Sequence, residues 1–540
     1  MMIDDLYNEI DKNNFYLGLV SQVYKNSCVV QIENLSWLSL RRINQELLIP
    51  NTINYYVVID SALGLFLGEV YQSKMPSSDS VHSALKNNFT ERIFPELSID
   101  VIGLMKNGES RFKSTGFFAV GLTEKVYLAN KSVSRKYLES IENARLDQNY
   151  LQNKLSSFAK VANMEYQDIR LSPETIFDRH LMAVGSTNSG KSTTSLSIID
   201  KLLLDRKKIL IIDPTGEYSN SFVENSVVKL NLGINTVLNS GKVTFSQWAT
   251  LFETNDTTQP AVLADAIKSL RYQKKAGKTG VYIKNGKKIA DVLNDMASLT
   301  PSDTTFDLSQ LPKQITEEAV ESDRNMEKYQ TGSFQFNNKQ WLVQKVDYKL
   351  NNINLLNFFG HKEANYDLIE EIEKFMKDPD KSLYIDASSI GVGEGIGSMI
   401  IDLISNYIIN NKEKNDIAFI IFIDEVHRYS KDVHSGGYQT GLTSIAREGR
   451  KKGIFLFLTT QNPQDVSNEL LGQIGSMIVH RLTHKNELDA VRNYMSDNSF
   501  KQISKLNQGE AIMTSINLLA DLHLVVDRCQ RSHNNSTVRL

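Results

Sequence analysis

The sequence predicts an α/β protein: a parallel strand–helix core, interrupted by a helical insertion and preceded by a small β-module. Three observations predict it. From residue 175 to 240, and again from 381 onward, short apolar runs alternate with segments of helical periodicity. That is the pattern of βαβ units around a buried parallel sheet. A glycine-bearing loop, Gly185-Ser186-Thr187-Asn188-Ser189-Gly190-Lys191-Ser192, stands between the first such strand and its helix. The first 130 residues carry only short β-branched and aromatic runs between turn residues, which reads as a small barrel or sandwich.

Composition bounds the function. A chain of 540 residues allows three or four domains at about 150 residues each. With 41% hydrophobic and 23% charged residues, global disorder is excluded. Lys+Arg is 60 and Asp+Glu 63, a net charge of −3, so any nucleic-acid contact must come from a local basic surface. Two distant cysteines, Cys28 and Cys529, exclude a disulfide framework and a cysteine-rich zinc module. The acidic start has no secretory apolar region, and runs such as the one before Asp424 are too short to span a bilayer. The expected setting is the cytoplasm, with no membrane role.

Taken in order, FYLGLV, SCVVQIE, YYVVIDS, LGLFLGEVY, GFFAVGL and KVYLA are the expected strands of the 1–130 module. Turns are expected at Pro50-Asn51 and Met75-Pro76-Ser77-Ser78. Residues 131–170 are charged throughout and read as a helical linker, closed by Ser172-Pro173-Glu174. Residues 171–240 form the first part of the core: strand HLMAVGS, helix KSTTSLSIIDKLLLDRK, strand KILIID. Residues 241–380 lose the alternation and read as a mainly helical insertion. Residues 381–540 resume it and add a C-terminal segment.

The loop at Gly185 matches GxxxxGK[ST] and lies where that motif must lie, after a strand and opening a helix. Glycines let the backbone wrap phosphates, the amides form an anion nest, and the helix N-terminus adds positive charge. Lys191 would reach the terminal phosphates of ATP, and Ser192 would ligate Mg²⁺. Gly185 through Thr193 are the expected nucleotide contacts. Asp424 and Glu425 end the apolar strand FIIFI, a Walker B pattern. There Asp424 would hold Mg²⁺ through water and Glu425 would polarise the attacking water. Asp213, in Asp213-Pro214-Thr215-Gly216-Glu217-Tyr218, ends the strand after the P-loop helix and should face the ligand crevice. Arg447 and Arg450 close a helix, either as dipole partners or as an arginine finger reaching a neighbouring subunit. Gln461 closes a further strand and is placed to sense the γ-phosphate or position water.

DPTGEY, IDEVHRY, AREGRKKG and TTQNPQDV, in that order behind GSTNSGKS, resemble the HerA branch of the FtsK–HerA superfamily of P-loop ATPases. LNQGEAIM resembles its closing strand. The resemblance implies a RecA-like core with a helical insertion, behind a HerA-associated barrel. It implies a homohexameric ring that hydrolyses ATP with Mg²⁺ and translocates double-stranded DNA. It further implies an effector partner on the barrel, a nuclease or, in an antiviral defence pair, a sirtuin-like NADase. By resemblance Asp213 and Glu217 are the acidic motif, Arg450 or else Arg447 the trans-acting arginine, and Arg179 a further arginine before the P-loop strand. Thr215 stands where His is usual and Asn462 where Arg is usual.

Other candidates stay open. Residues 271–288 hold Arg271, Lys274, Lys275, Lys278, Lys284, Lys287 and Lys288 without an acid, with Tyr272 and Tyr282 between them. They form either a DNA path or a solvated loop. Gly391, Gly393, Gly395 and Gly397 read as a flexible turn before a helix, and His427 and His434 lack the partners of a zinc site. Two rival functions remain: a nucleotide-regulated scaffold that activates an effector, and a conjugation- or secretion-type ATPase.

Overall fold

The computed structural model describes all residues except 1–2, 8, 39–40, 44–45, 50–52, 76–81, 84, 88–93, 143–152, 163–166, 256, 361–364, 430–439 and 533–540. The expected turns at Pro50-Asn51 and Pro76–Ser78 lie outside the described residues. The chain forms two compact units, each built from separated stretches. The first holds 1–178, 185–201 and 475–528; the second holds 179–184, 202–474 and 529–540. Among the described residues no helix is long and apolar enough to cross a membrane.

The first unit begins with a closed antiparallel barrel. Its strands are β1 (Tyr16–Val23), β2 (Ser27–Ile32), β3 (Tyr56–Ser61), β4 (Gly64–Lys74), β5 (Glu96–Lys106) and β6 (Lys125–Leu128), ordered β1-β2-β5-β4-β3-β6. Closure removes every open edge, and Val30, Ile59, Phe66, Ile99 and Val126 are fully buried. Five of the expected strands are present. GFFAVGL is not a strand: Gly116 turns at φ 59° and Phe117 is fully exposed. The remaining strand is instead ELSIDVIGLMK, whose apolar alternation runs through Val101, changes phase at Ile102 and Gly103, and is hard to read in sequence.

Among the described residues of the expected helical linker, only the start is helical. Helix α1 (Lys131–Ser140) is capped by Asn130, whose side chain accepts from the Val133 amide at 2.9 Å. Further on, the chain forms the antiparallel strands β7 (Ala159–Val161) and β8 (Gln167–Ile169). Their charged residues, such as Lys160 and Asp168, lie on the less buried side, which mimics a polar helix in sequence.

The second unit is centred on six parallel strands: β9 (Leu181–Val184), β10 (Ile209–Asp213), β11 (Val227–Asn231), β12 (Ser382–Asp386), β13 (Phe419–Ile423) and β14 (Ile454–Thr460). Their order is β9-β14-β13-β10-β12-β11. This is the α/β core expected from the alternating pattern. Residues 209–212 and 421–423 are fully buried, as strands covered on both faces must be. Helix α2 (Lys191–Leu204) connects β9 to β10. The insertion contributes α3 (Phe245–Leu251), α4 (Gln259–Lys275), α5 (Ile289–Ala297), α6 (Leu311–Glu317), α7 (Ser333–Leu350), α8 (Ile353–Phe358) and α9 (Leu368–Lys377). Fully buried Trp248 packs there against Phe252, Phe306 and Phe359, with ring centroids 4.8–6.0 Å away. Helices α10 (Glu394–Asn411) and α11 (Gly441–Glu448) complete the core.

The chain then returns to the first unit as β15 (Ser476–Val479), β16 (Glu510–Ser515) and β17 (Leu522–Val526). With β7 and β8 they form an antiparallel run, β8-β7-β17-β16-β15.

Candidate active site

The loop after β9 belongs to the first unit. Gly185 follows directly on Val184, and α2 opens at Lys191. Asn188 and Gly190 have φ of 63° and 113°, and such left-handed residues turn successive N–H groups to one side as an anion nest. A Cβ on Gly185 would lie 2.5 Å from Ser189 Oγ and 2.7 Å from His480 Cβ; one on Gly190 would lie 2.9 Å from the Gly509 nitrogen. The loop is also tied from outside. The Ser186 amide and hydroxyl donate to the Arg481 carbonyl at 3.1 and 3.0 Å, and the Gly509 amide donates to the Ser189 carbonyl at 3.0 Å. Lys191 is buried, Ser192 and Thr193 are half-buried, and Thr187 and Asn188 are exposed. The Ser189 hydroxyl is buried without a hydrogen-bond partner. A nest, an orphaned hydroxyl and a lysine at a helix N-terminus fit a chain of phosphates.

The carboxylates stand in the second unit, where the parallel strands end together. Asp424, just past β13, is 6% exposed. Its Oδ2 accepts from the Tyr218 hydroxyl at 3.0 Å and its Oδ1 from the Thr459 hydroxyl. Each oxygen keeps a lone pair, which fits a water-mediated hold on Mg²⁺. Glu425 turns into the left-handed region, at φ 49° and ψ 47°. Its amide donates to Thr459 Oγ1 at 3.0 Å; its carboxylate accepts from Gln461 Nε2 at 2.6 Å and the Gln461 amide at 3.1 Å. His427 Nδ1 lies 3.2 Å from Glu425 Oε2 and 3.1 Å from the Thr460 hydroxyl. Glu425 and Gln461, singled out separately in sequence, are thus in direct contact.

Asp213 has a different character. Its Oδ1 accepts from the Thr215 amide and hydroxyl, both at 3.1 Å, and from the Gly216 amide at 2.8 Å. Its Oδ2 accepts from the Tyr218 amide and the Tyr384 hydroxyl, both at 2.8 Å. A carboxylate offers about four lone-pair sites, so these donors saturate it. Asp213 therefore anchors its own loop, which explains Thr215, and holds Tyr218 toward Asp424. Burial raises its pKa, opposed first by the Tyr218 amide and then by the Tyr384 hydroxyl. Glu217, beside it, is half-buried.

The arginines separate. Arg447, on α11, is ion-paired with Glu469. Arg450 is exposed in the short turn Gly449–Lys452, and Arg179 is exposed before β9. Next to Arg179, His180 is buried. Its Nε2 donates to the Ala446 carbonyl and its Nδ1 accepts the Leu456 amide, both at 2.9 Å. Asn462 bonds Asp465 within its own turn.

The 271–288 stretch is largely engaged within the insertion. Arg271 lies over the Phe245 ring, Lys275 pairs with Asp303 at 2.8 Å, Lys284 pairs with buried Glu318, and Lys287 lies 3.7 Å over Tyr282. Tyr272 and Tyr282 pack edge to face and both donate to Asp295. Lys274, Lys278 and Lys288 are exposed. The glycine run is not a flexible turn throughout. Gly395 and Gly397 lie inside α10, where a Cβ would strike the Thr250 carbonyl at 2.7 Å and the Tyr429 ring at 2.4 Å. They permit close helix packing. His434 lies outside the described residues.

The family model "Helicase HerA, central domain" matches residues 157–411, and "Helicase HerA-like C-terminal" matches 406–521. The chain belongs to the HerA helicase family. A probable helicase of Methanocaldococcus jannaschii is 21% identical over 359 residues, 64% of this chain and 62% of that one. A second probable helicase of that organism is 23% identical over 472 residues, 85% of this chain and 82% of its own length. The DNA double-strand break repair helicase HerA of Saccharolobus solfataricus is 24% identical over 341 residues, 62% of each chain. The match thus spans about 62% of the first and third of these relatives.

Within this HerA-type chain, three side chains escaped the sequence reading. In sequence Tyr218 is only a letter of DPTGEY, and Tyr384 and His480 lie within or just after apolar runs of the 381–540 region. Their roles depend on hydrogen bonds across strands that no local pattern encodes.

Proposed function

We propose that the chain is a Mg²⁺-dependent ATPase that moves double-stranded DNA. The observation that carries this reading is the Gly185–Ser192 loop: a nest with Lys191 at the head of α2, in a chain of the HerA family. In this reading the loop and the Asp424–Glu425 pair serve one nucleotide. Lys191 and the loop amides bind the phosphates, Ser192 and Asp424 hold Mg²⁺, and Glu425, oriented by Gln461, takes the proton of the attacking water. Relatives named as helicases and as double-strand break repair proteins support DNA as the substrate. The working form would be a cytoplasmic homohexamer with Arg450 acting on the neighbour's nucleotide. An effector, a nuclease or an NAD-consuming enzyme of a defence pair, would dock on the barrel.

Steady-state ATPase assays on Lys191→Ala and Glu425→Gln proteins test it. Lys191→Ala should lose nucleotide affinity. Glu425→Gln keeps an amide for Gln461, should still bind ATP, and should hydrolyse it about 10²–10⁴ times more slowly. Hydrolysis by Glu425→Gln at the parent rate would remove Glu425 from the chemistry. Full activity without DNA movement in a strand- or triplex-displacement assay would favour the scaffold.

A further inference from the structure

We propose that His480 is a positioning residue of the nucleotide site, fixing the P-loop and the first turn of α2 through Thr194. The inference rests on the nucleotide reading above and adds to it a residue from outside the P-loop sequence.

His480 follows β15 and is completely buried. Its Nδ1 lies 2.9 Å from the Glu510 carbonyl. A carbonyl only accepts, so Nδ1 carries the hydrogen. Nε2 is therefore an acceptor, and the Thr194 hydroxyl, also fully buried, donates to it at 2.9 Å. Thr194 in turn donates its amide to the Gly190 carbonyl at 2.9 Å. The same side chain stands against both ends of the loop: a Cβ at Gly185 would lie 2.7 Å from His480 Cβ and 3.5 Å from its Cγ, and one at Gly190 would come within 3.6 Å of its Cε1. The ring is kept neutral by burial, which pulls its pKa down to about 4, with the Lys191 charge acting in the same direction.

A histidine that merely filled the core would have no reason to touch the first glycine, the last glycine and the first helical turn at once. The neighbouring bonds point the same way. Arg481 and Gly509, flanking His480 and Glu510, hold the Ser186 and Ser189 backbone. The C-terminal strands thus form a cradle for the phosphate loop, and His480 links that cradle to α2 through its side chain. With that link lost, the Gly190–Thr194 turn is free to relax and the amides lose their common aim.

Binding of a fluorescent ADP analogue with Mg²⁺ to the full chain tests this, alongside thermal midpoints and the KM for ATP. Glutamine carries its amide out to the Nε2 position and keeps an acceptor for Thr194. Asparagine ends at the Nδ1 position and keeps only the bond to Glu510. His480→Asn and Thr194→Val should each weaken binding and raise KM about five- to tenfold, the worth of one buried neutral hydrogen bond. His480→Gln and Thr194→Ser should stay within about twofold, and the Asn/Val double variant should be no worse than either single. Parent-like binding by His480→Asn and Thr194→Val overturns the inference, as does a loss that tracks the thermal midpoint equally in all four variants. If the parent protein binds no nucleotide, the nucleotide reading falls first and this inference with it.

Discussion

Asp424 and Glu425 are adjacent in the chain, yet their surroundings assign them opposite tasks. Asp424 is held by two hydroxyls, one on each oxygen, and retains lone pairs for a hydrated cation. Glu425 is turned aside by its left-handed backbone and gripped by Gln461. Tyr218→Phe tests the first arrangement, because it deletes one donor and leaves the ring against Phe422. The Mg²⁺ concentration that half-saturates nucleotide binding should shift several-fold, with a stability loss of about 1 kcal/mol in denaturant titration. An unchanged Mg²⁺ requirement would show that Tyr218 does not position Asp424. At this scale the sequence revealed which residues carry chemistry, since GxxxxGK[ST] and a strand ending in Asp-Glu are local patterns. It could not reveal that Asp213 is saturated by its own loop, or that Gln461 meets Glu425. The first depends on how the loop folds back on Asp213 and on Tyr384 from 171 residues away; the second joins strand ends 36 residues apart.

Elements were legible where one physical rule dominated. Parallel strands buried on both faces read as unbroken apolar runs, and five of the six were visible as such; β11, with Lys229 in its middle and only two residues buried, was not. Three antiparallel strands were not: β5 changes the phase of its alternation at Ile102 and Gly103, and the β7–β8 pair is hidden by Lys160 and Asp168. Gly395 and Gly397 looked like a turn because glycine signals both turns and close packing, and only the packed helix decides between them. Buried histidines at the ends of these elements give a prediction. His180 and His480 have folded pKa values lowered to about 4 by burial, and burial lowers His523 as well. The unfolded chain binds those protons near pH 6.5 and the folded chain does not. Stability is therefore present above pH 6.5 and is lost as pH falls toward 4, by up to about 3 kcal/mol for each of His180 and His480. Thermal midpoints should decline already between pH 6.5 and 5, before most carboxylates titrate. His180→Gln should remove its share of that slope; an unchanged slope would mean that His180 does not stay neutral.

The whole molecule escapes a linear reading, because each compact unit is assembled from stretches far apart in sequence. A division at residues 130, 170, 240 and 380 follows composition, whereas the P-loop packs with the C-terminal strands. Charge behaves similarly. The 271–288 stretch looked like seven available cations, but four are engaged within the insertion. If this stretch lines a DNA path, neutralising Lys274, Lys278 and Lys288 should weaken DNA binding and flatten its salt dependence by up to about three phosphate contacts. Neutralising Lys275 should act mainly on stability through Asp303. A salt slope unchanged by the triple variant would move the path elsewhere.

Assembly gives the sharpest test at this scale. Arg447, on α11, pairs with Glu469, and Arg450 lies on the turn just beyond α11. The sequence resemblance points first to Arg450 and then to Arg447 as the trans-acting arginine, and both side chains are exposed. An arginine supplied in trans contributes about 10³–10⁵ in rate, so Arg450→Ala should be nearly inactive, and Arg447→Ala less so. Mixing inactive Arg450→Ala subunits with inactive Lys191→Ala subunits then separates the two geometries. In a ring with shared sites, an Arg450→Ala subunit keeps an intact P-loop and can borrow Arg450 from a Lys191→Ala neighbour. In a random one-to-one mixture about a quarter of the sites are then complete, and activity should return to that order. If each site is built within one chain, every site in the mixture lacks a residue and no activity returns. A parent protein that stays monomeric at micromolar concentration while fully active would rule out the shared site altogether.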